Sequence, residues 1–216
     1  MAKVKICGLK RPKDALLAAK LGADFLGLIF SPKSLRVLTA KEAEKISQAL
    51  LDYRKRSGKP IKLVGLFVDQ PLAEVNAAIK KYGLDVVQLH GNESPAYCAK
   101  IVGAKVIKGF HMRSRQSLKA MRRYAVGEAG KEVWAFLLDS YTKGVSGGTG
   151  KQFDWELAKQ VKQFHKPIFL AGGINAENVK VAIKAVKPYA VDLCSAVESA
   201  PGIKQQQKLI NFFERI

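Results

Sequence analysis

Acidic residues are scarce in this sequence: 18 Asp and Glu stand against 37 Lys and Arg, leaving a formal net charge of +19. So basic a chain attracts anions, whether nucleic acid or small charged substrates. Its lysines are scattered along amphipathic stretches such as "KQVKQFHK" and "NVKVAIKAVK" instead of being gathered into a tail. No RNA-recognition, helix-turn-helix or zinc-finger pattern accompanies them, so the charge reads as a solvated face and argues against a dedicated nucleic-acid site. Cysteine is also rare, with one each at positions 7, 98 and 194. An odd number at such spacing suggests reduced thiols in a cytoplasm in preference to a disulfide framework. No apolar run approaches the ~18 residues that a membrane span needs, and "MAKVKICG" has no signal-peptide hydrophobic region. Neither a linker nor a low-complexity tract interrupts the chain. Residues 1–216 are therefore expected to form one domain of ordinary size.

What the sequence does contain is an alternation. Short β-type runs occur at 4–7, 25–30, 62–68, 86–90, 105–110, 133–139, 167–172 and 190–194, each followed by a longer amphipathic segment. Several of those segments carry helix starts. Thr39 and Glu42 read as a capping box, Ser94-Pro95 as an N-cap before a first-turn proline, and Asp154 and Asn175 as further N-caps. Gly22 and Gly83 read as helix stops. Eight β-then-α units in 216 residues predict an α/β fold, a (β/α)8 TIM barrel, in preference to a doubly wound sheet with its usual five to seven strands.

Barrels of this kind place their chemistry at the C-terminal ends of the strands. Those positions hold Cys7, Arg36, Asp69, His90, His111, Asp139, Gly172-Gly173 and Ser195. The pair "AGGIN" and "CSAVE", after strands 7 and 8, suits a phosphate held by backbone N–H groups near a helix start, although a tight turn alone would also need glycine. The loop "SGGTGKQFDW" lacks nucleotide-loop spacing and reads as either a mobile lid or a flexible connector. Asp139, at the edge of "VWAFLL", could donate a proton, and Cys7 could accept one. Each taken alone is more often a loop cap or an inert thiol, but at strand exits 1 and 6 they face one mouth. Alternation puts Lys5 on the side of Cys7, where an ammonium favours thiolate. Arg36 could fork onto a carboxylate or lie on the surface, and His90 could touch substrate or bond to backbone. With no H-x-H or H-E-x-x-H, and ligand-type residues on separate strands, no metal is expected.

In this order "KICGL", "SPKSLR", "VVQLHG", "LLDS", "GGTGKQFDW", "LAGGIN" and "VDLCSAVESAPGIK" resemble phosphoribosylanthranilate isomerase, from residue 4 to about 204. The resemblance implies a cytoplasmic, cofactor-free (β/α)8 enzyme of tryptophan biosynthesis, a monomer or homodimer acting on a small phosphosugar. It rearranges N-(5-phosphoribosyl)anthranilate to 1-(2-carboxyphenylamino)-1-deoxyribulose 5-phosphate. By the same resemblance Cys7 is the general base, Asp139 the general acid, and Arg36 the holder of the anthranilate carboxylate. His90 would belong to the substrate site. Gly172, Gly173, Ser195 and Ala196 would bind phosphate, and Gly147, Gly148, Thr149 and Gly150 would close over the substrate. Three positions depart from the family pattern: Lys10 for Thr, Cys194 for Ser and Ala196 for Gly. If position 196 needed a positive φ, alanine there would cost about 1 kcal/mol. Related phosphosugar barrels are the enzymatic alternatives. Indole-glycerol-phosphate synthase would want catalytic Lys and Glu at strand ends, a metal-dependent epimerase convergent His and Asp, and the histidine-pathway isomerase an Asp where Cys7 stands. A basic nucleic-acid-binding protein built on the barrel is the non-enzymatic alternative.

Overall fold

A computed structural model describes residues 2–112, 114–125, 133–140 and 155–216. Eight parallel strands close into a barrel in chain order: β1 (Lys3–Ile6), β2 (Phe25–Ile29), β3 (Lys62–Phe67), β4 (Val86–Leu89), β5 (Lys105–Met112), β6 (Val133–Ser140), β7 (Ile168–Leu170) and β8 (Ala190–Leu193). Closure comes from β1 pairing with β8, Lys5 opposite Asp192 and Ile6 opposite Leu193. Among the described residues the helices are α1 (Pro12–Leu21), α2 (Ala40–Ser57), α3 (Leu72–Tyr82), α4 (Pro95–Cys98), α5 (Gln116–Arg122), α6 (Trp155–Val161), α7 (Val179–Val186) and α8 (Gln206–Phe213). None is long and apolar enough to cross a membrane.

Alternation along each strand divides the apolar residues into two sets. Phe25, Val64, Val86, Ile107, Ala135, Leu137, Phe169, Ala171 and Ala190 form one cluster inside the barrel. Val4, Ile6, Leu26, Leu28, Val87, Leu89, Phe136, Leu138 and Val191 join the larger cluster beneath the helices. The expected capping box is present, Thr39 and Glu42 bonding to each other's backbone N–H groups, and Ser94 caps α4 by accepting from Tyr97. Gly22 and Gly83 end α1 and α3 in left-handed conformations. Asp154 lies outside the described residues. Asn175 does not cap α7 directly. Its side chain accepts from the backbone of Glu177 and Asn178, closing a turn that delays the helix to Val179. A hairpin that the sequence pattern did not suggest follows β8: β9 (Glu198–Ala200) and β10 (Ile203–Lys204), with Lys204 paired to Glu198.

Candidate active site

Cys7 stands one residue beyond β1, its backbone N–H donating to the carbonyl of Leu193 at 2.8 Å. Below it Lys5 is fully buried and bonds to Asp192 Oδ1 at 2.9 Å. A charged pair is tolerated inside a barrel only when each partner is satisfied, and this one lies directly beneath the thiol. Beside it Gly27 provides the space, since a Cβ there would lie 2.8 Å from the Cys7 sulfur. The neighbouring Cys194 thiol is the largest influence lowering the Cys7 pKa. Burial opposes it, Lys5 and Lys204 assist, and Cys7 is held well below the ordinary thiol range. Cys7 and burial together push Cys194 well above that range. Burial drives Asp192 up to about 7, although Lys5 pulls the other way. Lys5 itself is raised, because Asp192 and Cys7 outweigh its burial.

The β6 exit supplies Asp139, one-third exposed, with its Oδ2 3.7 Å from His90 Nε2. His90 is positioned by Gln88 two residues earlier, whose side-chain amide lies 3.0 Å from Nδ1. With that amide donating to Nδ1, the Nε2–H faces the Asp139 carboxylate. The ring also stands edge-on to His111 at 5.0 Å. Burial, with help from His111, Lys108 and Lys5, lowers the His90 pKa to about 3, so the imidazole is neutral near pH 7. Behind it, buried Lys108 bonds to the carbonyls of Leu89 and Gly91 and pairs with Glu93 at 3.2 Å, fixing the loop that carries His90. Sequence reasoning kept the ligand-type residues apart on separate strands. The barrel nevertheless brings atoms of His90, His111 and Asp139 within 4.8 Å of one another.

Arg36 reaches the same mouth, but its fork is already engaged. Nε lies 3.0 Å from both Glu198 oxygens, and Nη2 lies 2.7 Å from Oε2. Glu198 also accepts from Lys204 Nζ at 2.8 Å and from the Gly202 N–H. Burial would raise this carboxyl, but Arg36 and Lys204 outweigh it and hold it below the usual range. The Nη1–Nη2 edge is therefore the face of Arg36 available to a further carboxylate. Glu198 and Lys204 were not singled out from the sequence. Strand alternation carries a signal for Asp192 beside Lys5, but the hairpin that turns Glu198 inwards leaves no such mark.

Gly172 and Gly173 follow β7 with φ of 76° and 72°. Only glycine adopts two successive left-handed conformations without strain, and such a turn can aim successive N–H groups at one point. Ser195 and Ala196 open a 3-10 turn over Ser195–Val197. Among the described residues the positive-φ positions other than glycine are Asp69, His165 and Lys187. Ala196 thus takes an ordinary conformation, and the strain expected from replacing glycine there does not arise. The suggested lid residues Gly147, Gly148, Thr149 and Gly150 lie outside the described residues.

A sequence profile described as N-(5'-phosphoribosyl)anthranilate (PRA) isomerase matches residues 4–215. An N-(5'-phosphoribosyl)anthranilate isomerase from Geobacter sp. (strain M21) is 44% identical over 212 residues, covering 98% of this chain and 96% of that protein. Among solved structures, the phosphoribosyl anthranilate isomerase of Thermotoga maritima superposes with a TM-score of 0.87 at 33% identity, covering 100% of this chain and 98% of that one. A second, in complex with reduced 1-(o-carboxyphenylamino)-1-deoxyribulose 5-phosphate, gives 0.83 at 31% identity with the same coverage.

Proposed function

The chain belongs to the N-(5'-phosphoribosyl)anthranilate isomerase family, and from that premise we propose how its own residues perform the reaction. The enzyme catalyses the Amadori rearrangement of N-(5-phosphoribosyl)anthranilate in tryptophan biosynthesis. We assign Asp139 as the acid that protonates the furanose ring oxygen and opens the ring. The resulting iminium acidifies the C2' proton, and Cys7 removes it as thiolate. The enolamine then passes to the ketone. The iminium itself is the electron sink for that proton abstraction.

One observation carries this assignment: a thiol biased towards thiolate by Cys194, Lys5 and Lys204 shares the barrel mouth with a partly exposed carboxylate. Asp192 senses the charge of both Cys7 and Asp139, so the two groups act within one electrostatic unit. His90, neutral and beside Asp139, contacts the substrate near the ring oxygen. Arg36, oriented by Glu198, offers its Nη1–Nη2 edge to the anthranilate carboxylate. The turn at Gly172 and Gly173, with Ser195 and Ala196, holds the phosphate. Residues 1–216 serve as one catalytic domain. A phosphorylated, carboxylated substrate also fits the basic surface better than a nucleic-acid ligand does. The cytoplasm, where thiols stay reduced, is the compartment in which a thiolate base persists.

The test follows loss of substrate fluorescence in wild type, Cys7→Ser and Asp139→Asn, with folding monitored by circular dichroism. If both variants turn over at the wild-type rate while folded, the assignment is wrong.

A further inference from the structure

Cys194 transfers no proton in the chemistry above, yet it is the first influence on the thiol that does. β1 and β8 are paired in parallel, with Lys5 opposite Asp192 and Ile6 opposite Leu193. The next step of that register sets Cys7 beside Cys194, and the 2.8 Å bond from the Cys7 N–H to the Leu193 carbonyl shows that the strands remain together at this level. Neighbouring strands run about 4.8 Å apart, inside the range of roughly 4.4–6.8 Å between Cα atoms that a disulfide accepts. Cys7 lies two residues after the buried Lys5 and Cys194 two after its partner Asp192, and each thiol is the strongest influence on the other's titration. A Cβ placed on Gly8 would lie 2.9 Å from the Cys194 sulfur, so that sulfur is packed against the backbone next to Cys7.

We propose that Cys7 and Cys194 form an oxidation site in which peroxide converts the catalytic thiol and its neighbour into a disulfide. The Cys7 thiolate attacks one peroxide oxygen. The O–O bond breaks, a sulfenic acid forms on Cys7, and hydroxide leaves and takes a proton to become water. Cys194 then attacks the Cys7 sulfur. The S–O bond breaks, the S–S bond forms, and the departing hydroxide takes the Cys194 proton as a second water. Overall, two thiols give up two electrons and two protons, and one peroxide becomes two waters.

Two features of the site favour this course. Lys5 and Lys204 stabilise thiolate at Cys7, the form that peroxide attacks. Cys7 and Cys98 are both buried and Cys194 is partly exposed, but burial pushes the Cys98 pKa up to about 11 while Cys7 is held low, which makes Cys98 the unreactive internal control. Formation of the bond does not depend on the catalytic role assigned to Cys7; its effect on turnover does. A disulfide here removes the base reversibly and protects it from further oxidation.

The test exposes the folded protein to hydrogen peroxide, quenches with catalase, alkylates the remaining thiols and maps the peptides. In wild type the expected result is a Cys7–Cys194 link with a loss of about 2 Da, an alkylated Cys98, and loss of turnover that dithiothreitol restores. In Cys194→Ser, compared with its own untreated activity, no link forms, Cys7 proceeds to sulfinic acid, and dithiothreitol restores little. Finding Cys7 and Cys194 both alkylated after wild-type turnover has been lost overturns the proposal. So does reversible inactivation that is equally complete in Cys194→Ser. A link that forms while turnover persists upholds the oxidation site and refutes Cys7 as the base.

Discussion

At the N-terminal end of the barrel Phe25, Trp134, Phe169 and Tyr189 pack together, with centroids 5.1 Å apart for Phe25–Phe169 and 5.6 Å for Trp134–Tyr189. Lys3 and Lys105 lie over those rings. A cavity of about 690 Å³ opens there, lined by Phe25, Trp134 and Tyr189 among others. The C-terminal end instead gathers Lys5–Asp192, Arg36–Glu198–Lys204 and His90–Asp139 around Cys7. A cavity of that kind would by itself suggest a binding site at the first end. The protonation equilibria point to the second, where burial and specific neighbours displace Cys7, His90, Asp192 and Glu198. Opposed shifts among groups sharing one mouth are what acid-base chemistry near neutrality requires. Room and reactivity are separate properties of this barrel.

The largest effect should follow from removing the reactive pair. A positioned acid or base contributes roughly 10²–10⁴-fold, about 3–5 kcal/mol of barrier. Cys7→Ser and Asp139→Asn should each lower kcat at least about a hundredfold, with the thermal midpoint moving little, because neither change removes much apolar contact. Turnover near the wild-type level in a folded variant would break the comparison at its catalytic end.

The opposite outcome is expected at the aromatic end. Phe169 is fully buried between Phe25, Trp134 and Tyr189, and Phe169→Ala should cost about 3–5 kcal/mol. For a chain of this size that lowers the midpoint by on the order of 10 °C, while kcat at a temperature well below the transition stays near wild type. A large fall in kcat without loss of stability would show that the two ends are coupled.

Arg36→Lys is a smaller and more discriminating change. Lysine keeps the charge but cannot hold Glu198 through two nitrogens and still present a second edge. KM should rise by on the order of tenfold, about 1.4 kcal/mol, with kcat changed less and a slight loss of stability from the Glu198 contact. An unchanged KM would remove Arg36 from the substrate site.

How much of this was legible in the sequence depends on the range over which each interaction acts. The strands were visible because alternation is local, and the observed ends differ from the expected ones by a residue or two. That shift leaves Cys7, His90 and Cys194 just past their strands, where strand-exit reasoning looks. Arg36 was visible as a candidate, but its partner Glu198 lies 162 residues away and is turned inwards by a two-strand hairpin with no period to reveal it. Cys194 could be read as a departure from a motif. Its contact with Cys7 emerges only when β8 closes against β1, a pairing between the two ends of the barrel sequence. Asn175 misled in a different way, since an Asn before an apolar run fits a helix cap and a turn equally well, and only folding decides which backbone N–H groups its carboxamide receives.

A further effect concerns His90 and is read as a slope. Its folded pKa is about 3, lowered first by burial and then by His111, Lys108 and Lys5, against about 6.5 in an unfolded chain. Below about 6.5 the unfolded chain therefore binds a proton that the folded protein refuses, and stability falls as pH drops, until both states are protonated near 3. At most this one group contributes about 1.4 kcal/mol per pH unit within that window. Asp192 acts in the other direction. With its folded pKa at about 7, the folded protein holds a proton between about 4 and 7 that the unfolded chain has released, so this group favours folding as pH drops. The two partly cancel in wild type, which is why the net acid slope at this end of the barrel should be shallow. His90→Gln removes the imidazole titration while keeping a neutral side chain beside Asp139. Denaturant melts from pH 7 to pH 4 should then show the variant losing less stability than wild type, or gaining some, through the uncompensated Asp192. Parallel curves for the two proteins would mean that His90 is not held unprotonated by its surroundings, and that the C-terminal mouth is less tightly wired than its distances indicate.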